Sequence, residues 1–247
     1  MINLIKKLFK KILKKEIVIK LNNVEPNQTY LYDDEFTYVL HLYELYKMTQ
    51  NIPGHIVEVG VGEGRNAIIF GQLIKHYGEK NTKKYHGIDT FDGYNILDLK
   101  NEKHLKTDAW KNITLSAVNL KIASLGLDEI SKLYEIDAYD IEDKFLNNGG
   151  YQFQPNSLLI ALLYIDCNSY GAAKHSIEKF LPYMSKNSVI AVDEKKLGGE
   201  TKALLEIAKE NKIKVHENHF KLDFLKACDE VFLTGTAVEI TPVSCIK

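Results

Sequence analysis

The chain has 247 residues, 45% hydrophobic and 26% charged, a composition that suits one large α/β domain with additions. A formal charge of −1 supplies no global field for nucleic acid, and Arg65 is the only arginine, so bidentate phosphate recognition is barely available. No apolar run is long enough to span a bilayer, and the widely spaced Cys167, Cys228 and Cys245 read as reduced thiols of a cytoplasmic protein.

Residues 1–20 stand apart from the rest. Leu4, Ile5, Leu8, Phe9, Ile12 and Leu13 share one helical face. Lys6, Lys7, Lys10, Lys11, Lys14 and Lys15 share the other. Such a basic amphipathic helix suits peripheral contact with an anionic membrane surface, at the inner face of the membrane, through residues 1–15. It equally suits docking on its own domain or on a second copy, and a homo-oligomer is expected. Residues 21–247 read as a single domain. After a polar connector, Asp33 or Asp34 is placed to cap a helix carrying Phe36, Val39, Leu40, Tyr43 and Tyr46 at helical steps. Asn51-Ile52-Pro53-Gly54 then stops the helix and turns the chain into the first strand.

Ile56, Val57 and Val59 form that strand, broken only by Glu58. Gly60, Gly62 and Gly64 follow, then a helix from Asn66. Strand, glycine-rich turn and helix open a nucleotide-type α/β fold. The dinucleotide fingerprint asks for glycine one position later than Gly64, where Arg65 stands. Glu58, at the strand end, would repel a pyrophosphate but can accept hydrogen bonds from an ammonium or a ribose hydroxyl. This favours S-adenosylmethionine (SAM) over NAD(P).

Tyr85–Ile88 is the second strand, and Asp89 ends it where a ribose is usually held, although Asp89-Thr90-Phe91-Asp92-Gly93 is also turn chemistry. Residues 95–127 read as mostly helical, a cover or a structural insertion that carries the lone tryptophan, Trp110. Leu133–Ile136 is the third strand, with Asp137 and Ala138 beyond it, placed for an adenine edge or for a plain turn. Ser157–Asp166 is the most continuous apolar run and so the central strand. A helix over Ala172–Tyr183, a strand over Ser188–Val192 and a helix over Thr201–Glu210 follow. Lys212–His216 and Val231–Thr234 form a closing pair of strands. The expected fold is Rossmann-like: a mostly parallel, seven-stranded sheet with helices on both faces and an antiparallel last strand.

Glu58, Asp89, Asp137, Asp166, Asp193 and Glu194 all stand at expected strand ends, the rim where open α/β sheets bind ligands. Asp166, Asp193 and Glu194 close together would need a proton or a cation between them, and their oxygens suit Mg²⁺. The alternative is that Asp193-Glu194 is a solvated loop pair. His86, His104, His175 and His219 are further candidate bases, none selected by a motif.

The stretches N-I-P-G-H-I-V-E-V-G-V-G-E-G, G-I-D-T-F-D-G, L-L-Y-I-D-C-N-S-Y and V-I-A-V-D-E resemble the macrocin O-methyltransferase family, over roughly Tyr30–Glu210. The resemblance implies a class I SAM- and Mg²⁺-dependent enzyme that methylates sugar hydroxyls. It implies that Asp166 binds metal and serves as general base, and that Asp193 and Glu194 complete the metal site. It also implies that Glu58, Gly60, Asp89 and Asp137 contact SAM; Gly62, Gly64, Thr90 and Ala138 join them as neighbours in the loop and on the rim. The chain departs from the family in Cys167, Asn168 and Ser169 after Asp166, in Glu194 and in Gly62.

Overall fold

Residues 33–147, 158–193, 198–213, 232–234 and 241–242 are described by a computed structural model. The N-terminal basic segment lies outside them, as do Glu194, His219, Cys228 and Cys245. The chain divides into two compact units, 1–37 and 38–247, and the second holds the sheet.

Helix α1 (Asp33–Thr49) leads into strand β1 (His55–Val59), helix α2 (Arg65–His76) and strand β2 (Tyr85–Asp89). Two short helices, α3 (Ile96–Asn101) and α4 (Leu115–Ser124), precede strand β3 (Ser131–Glu135). Strand β4 (Ile160–Ile165), helix α5 (Tyr170–Phe180), strand β5 (Met184–Val192) and helix α6 (Gly199–Glu210) complete the body. Strands β3, β2, β1, β4 and β5 lie side by side in that order, every pair parallel. Past β5 the order continues through β6 (Phe232–Thr234), parallel, and β7 (Thr241–Pro242), antiparallel.

Alternation along the strands builds a core on each face of the sheet. Ile56, Leu162, Tyr164, Val189 and Ala191 pack with α1, α2 and α4 through Leu42, Leu45, Phe70, Ile74 and Ile122. Val57, Val59, Leu163, Ile165, Ile190 and Val192 pack with α5 and α6 through Ala173, Ile177, Phe180, Leu204 and Ile207. Both faces are covered, which is why β4 is apolar at all six positions.

Several boundaries differ from the sequence expectation. Residues 95–127 are not one mostly helical block. Asn95 caps α3 by accepting from the Leu97 amide, and Thr114 caps α4 by accepting from the Ala117 amide. Two such caps define separate helices, because each fixes a helical start where the preceding backbone is extended. Between them the backbone turns, with Trp110 at φ 66°. Helix α5 starts at Tyr170, two residues early, because Ser169 supplies its cap. It gives way at Leu181–Tyr183 to a 3₁₀ turn containing Pro182. Lys212, expected to open a strand, stands in a turn at φ 59°, and residues 214–216 lie outside the described residues.

Candidate active site

The carboxyl ends of β1, β2, β3 and β4 surround a cavity of about 370 Å³, within the usual size for a small-molecule site. The glycine loop forms its floor. Gly60, at φ 93°, passes so close to β4 that a Cβ there would collide with the Asp166 carbonyl. Only glycine combines that backbone angle with that approach. Gly62 lies under the Trp110 ring, and Gly64, at φ 82°, caps α2 without lining the cavity.

The rim acids differ in what they face. Asp89 lines the cavity and also ties the loop: one oxygen accepts from the Val61 and Gly62 amides at 2.7 and 3.0 Å, the other from Phe91 at 2.8 Å. Thr90 lines the cavity beside it and donates to the Gly93 carbonyl. Asp137 accepts from the Asn95 side chain at 2.6 Å and from the Tyr139 amide at 3.0 Å, with Ala138 next to it on the wall.

Glu58 lies behind the wall rather than on it. It is fully buried and accepts from the Asn66 amide group at 2.5 Å and from the Tyr85 hydroxyl. Burial pushes its carboxyl well above the usual range. Its influence on a ligand therefore runs through Asn66, which lines the cavity and accepts from the Tyr38 hydroxyl at 2.7 Å. Arg65, also on the wall, stacks on Tyr38 with its guanidinium carbon 3.7 Å from the ring centre.

Asp166 opens onto the same cavity from the end of β4. Crowding by protein atoms raises its proton affinity most, and the charges of Asp193, Glu200 and Glu58 raise it further, against the pull of Arg65. Asp193 ends β5, its amide donating to the Ile165 carbonyl, so the two acids sit on adjacent strand ends. Both carboxylates are hard oxygen donors of the kind a divalent cation takes, although only Asp166 lines the cavity. Glu194, the expected third ligand, lies outside the described residues, and among those described no three metal-binding side chains converge.

The histidines part from this site. His86 is enclosed in β2, bonded to Tyr134 at 2.9 Å, and burial drives its pKa down to about 3. His104 lies on the cover and His175 on α5 beside Tyr139; neither lines the cavity. His219 lies outside the described residues.

Of the two options the sequence offers for residues 95–127, a cover or a structural insertion, the cavity lining favours the cover, although the sequence does not single out its lining residues. Tyr94, Asn95, Asp98 and Trp110 all line the cavity, and the Trp110 ring nitrogen donates to the Tyr94 hydroxyl at 2.9 Å. The sequence does not single out Tyr38 either, which reaches the site from α1. Nothing periodic marks these residues, since their contacts span dozens of positions.

Residues 57–194, more than half of the chain, match the family described as a methyltransferase domain. The chain belongs to that family. The solved structures that resemble it include CalS11, described as a calicheamicin methyltransferase, at 20% identity and TM-score 0.66 over 96% of this chain and 92% of that one. The O-methyltransferase NovP matches at 14% identity and TM-score 0.60 over 84% and 80%. Likeness at such identities establishes the class I methyltransferase fold. An 89-residue stretch is 36% identical to branched-chain-amino-acid aminotransferase 5, chloroplastic, of Arabidopsis thaliana, covering 34% of this chain and 21% of that protein. The chain thus spans about a fifth of the length of the curated relatives it matches.

Proposed function

We propose that this methyltransferase-family protein transfers the methyl group of SAM to a sugar hydroxyl of a glycoside or glycan precursor. The observation that carries the reading is Asp166. It is a crowded carboxylate of raised proton affinity, opening onto the cavity whose floor is the glycine loop. The loop backbone and Asn66 take the donor's amino-acid end, Asp89 and Thr90 its ribose hydroxyls, and Asp137 and Ala138 its adenine edge. Trp110, above Gly62, closes the donor from water.

In the transfer, the acceptor oxygen forms a bond to the methyl carbon as the carbon–sulfur bond breaks. The electron pair returns to sulfur, leaving S-adenosylhomocysteine. The hydroxyl proton passes to the ionised Asp166 carboxylate, which opens onto the cavity. Positioning of oxygen, carbon and sulfur in line supplies the larger share of the rate. Asp166, Asp193 and Glu194 would hold a divalent cation such as Mg²⁺, which when bound lowers the hydroxyl's pKa. A sugar acceptor is supported by the description of CalS11 as a TDP-rhamnose 3′-O-methyltransferase. The reading extends to a homo-oligomer in the cytoplasm, meeting the inner face of the membrane through residues 1–15. Among the described residues no helix is long and apolar enough to cross a membrane.

The test is label transfer from methyl-labelled SAM to a panel of nucleotide sugars and glycosides, with and without EDTA. The wild-type chain should label at least one acceptor, and Asp166→Asn should lose about 10²-fold or more in rate. Equal rates for the two proteins would remove Asp166 from the reaction.

A further inference from the structure

The cover is tied to the body at several places, Lys121 to the Glu63 carbonyl among them, and two of the ties involve α3 and its caps. At one, Asn95 bonds Asp137. At the other, two acids spaced four residues apart, Asp98 and Glu102, reach the start of α5. Asp98 accepts from the Tyr139 hydroxyl at 2.7 Å and lies against Gly171. One oxygen of Glu102 accepts from the Ser169 hydroxyl at 2.8 Å and from the Tyr170 amide at 2.7 Å. Its other oxygen lies beside Gly199, where a Cβ would stand 3.1 Å away. Ser169 is itself the cap of α5 and fully buried. A carboxylate placed there meets free helix amides and the positive end of the helix dipole.

Asp166 is three residues upstream of Ser169. The turn between them is unusual: Asn168 stands at φ 57°, and its amide donates to Glu200 at 2.5 Å. His104, also on the cover, reaches the Asn168 carbonyl at 3.2 Å. The turn after β4 is therefore gripped by α6 through Glu200 and by the cover through Glu102 and His104. Glu102 does not line the cavity.

We infer that Glu102 is a positioning residue, clasping the cover shut over the donor while fixing the turn that carries Asp166. This rests on the SAM reading for the donor. The clasp itself rests on the hydrogen bonds alone. Opening the cover to release the donor product then requires Glu102 to leave Ser169 and Tyr170. Glutamine keeps an oxygen that can accept from both donors, whereas alanine keeps none. Ile96, on the same short helix and 81% exposed, supplies a neutral control.

The experiment compares wild type, Glu102→Gln, Glu102→Ala and Ile96→Ala as full chains. It measures amide hydrogen exchange over residues 96–101 and 168–172 and the dissociation rate of S-adenosylhomocysteine. In Glu102→Ala, protection should fall selectively in both segments, and dissociation should quicken about tenfold, the scale of a lost hydrogen bond to a charged group. Glu102→Gln should lie between it and the wild type, and Ile96→Ala should match the wild type. Wild-type protection at Tyr170 with wild-type dissociation in Glu102→Ala would overturn the clasp. So would a uniform loss of protection across the whole sheet, which marks a merely structural role. If the wild type does not bind S-adenosylhomocysteine, the SAM reading fails, and the exchange arm alone then upholds or overturns the clasp.

Discussion

At the scale of single residues, the site is built by forcing acids together and letting their surroundings decide which ones ionise. Glu58 and Asp166 both hold protons more tightly than ordinary carboxylates, first because they are crowded by protein and then because they face other acids. The sign follows by linkage. A carboxyl whose pKa is higher folded than unfolded stabilises the fold below the ordinary carboxylate range and loses that contribution as pH rises through the raised value. The protein without ligand should therefore become less stable as pH climbs from about 4 toward neutrality, counted from the ordinary aspartate value. Asp166→Asn should blunt the decline, so that the variant melts higher than the wild type at pH 8 while being poor at transfer. Thermal unfolding at pH 5 and pH 8 checks this, and a lower melting temperature for the variant at pH 8 would refute it. Gly60 is the other critical residue. Gly60→Ala should destabilise by about 2 kcal/mol or more, since a strained backbone and a clash with Asp166 coincide. Denaturant unfolding measures it, and a neutral result would contradict the close approach of β1 to β4.

At the scale of elements, the strands and the large helices were legible because burial on both sheet faces writes long apolar runs. Ile160–Ile165 and the Val57–Val59 region announce themselves this way. The order of acids at strand ends was legible too, because a parallel sheet turns sequence order into one rim. Direction was less legible. Glu58 stands where an acid meets a ligand, yet its position on the strand points it toward Asn66 and Tyr85. Asp89 stands on the rim as expected, yet it spends two bonds on the loop it shares the cavity with. No local pattern encodes those partners, which are 8 to 28 positions away. The cover is less helical than its sequence suggests, because the capping residues Asn95 and Thr114 start two short helices with turns between them. The cap has a consequence of its own. Asn95→Ala removes both the α3 cap and the bond to Asp137, which should cost about 1 kcal/mol for the cap alone. Hydrogen exchange should quicken over Ile96–Asn101 and leave α2 unchanged; equal protection of α3 in variant and wild type would refute the cap's role.

At the scale of the whole molecule, the two halves of the sheet do different work. The ends of β1 to β3 shape most of the cavity wall, while β4 brings Asp166 to it and β5 sets Asp193 on the adjacent strand end. The cover is tied to Asp137 by Asn95 and to the start of α5 by Glu102. A ligand that binds only this assembled state raises the unfolding free energy by mass action, about 2.7 kcal/mol at a hundredfold excess over its dissociation constant. On the proposed function, the assembled pocket takes a sulfonium donor rather than a dinucleotide. Isothermal titration of the full chain with SAM, and separately with NAD, tests it most directly. Saturable one-to-one binding of SAM with no heat from NAD is the predicted result. Binding of NAD without SAM, or of neither, would contradict it.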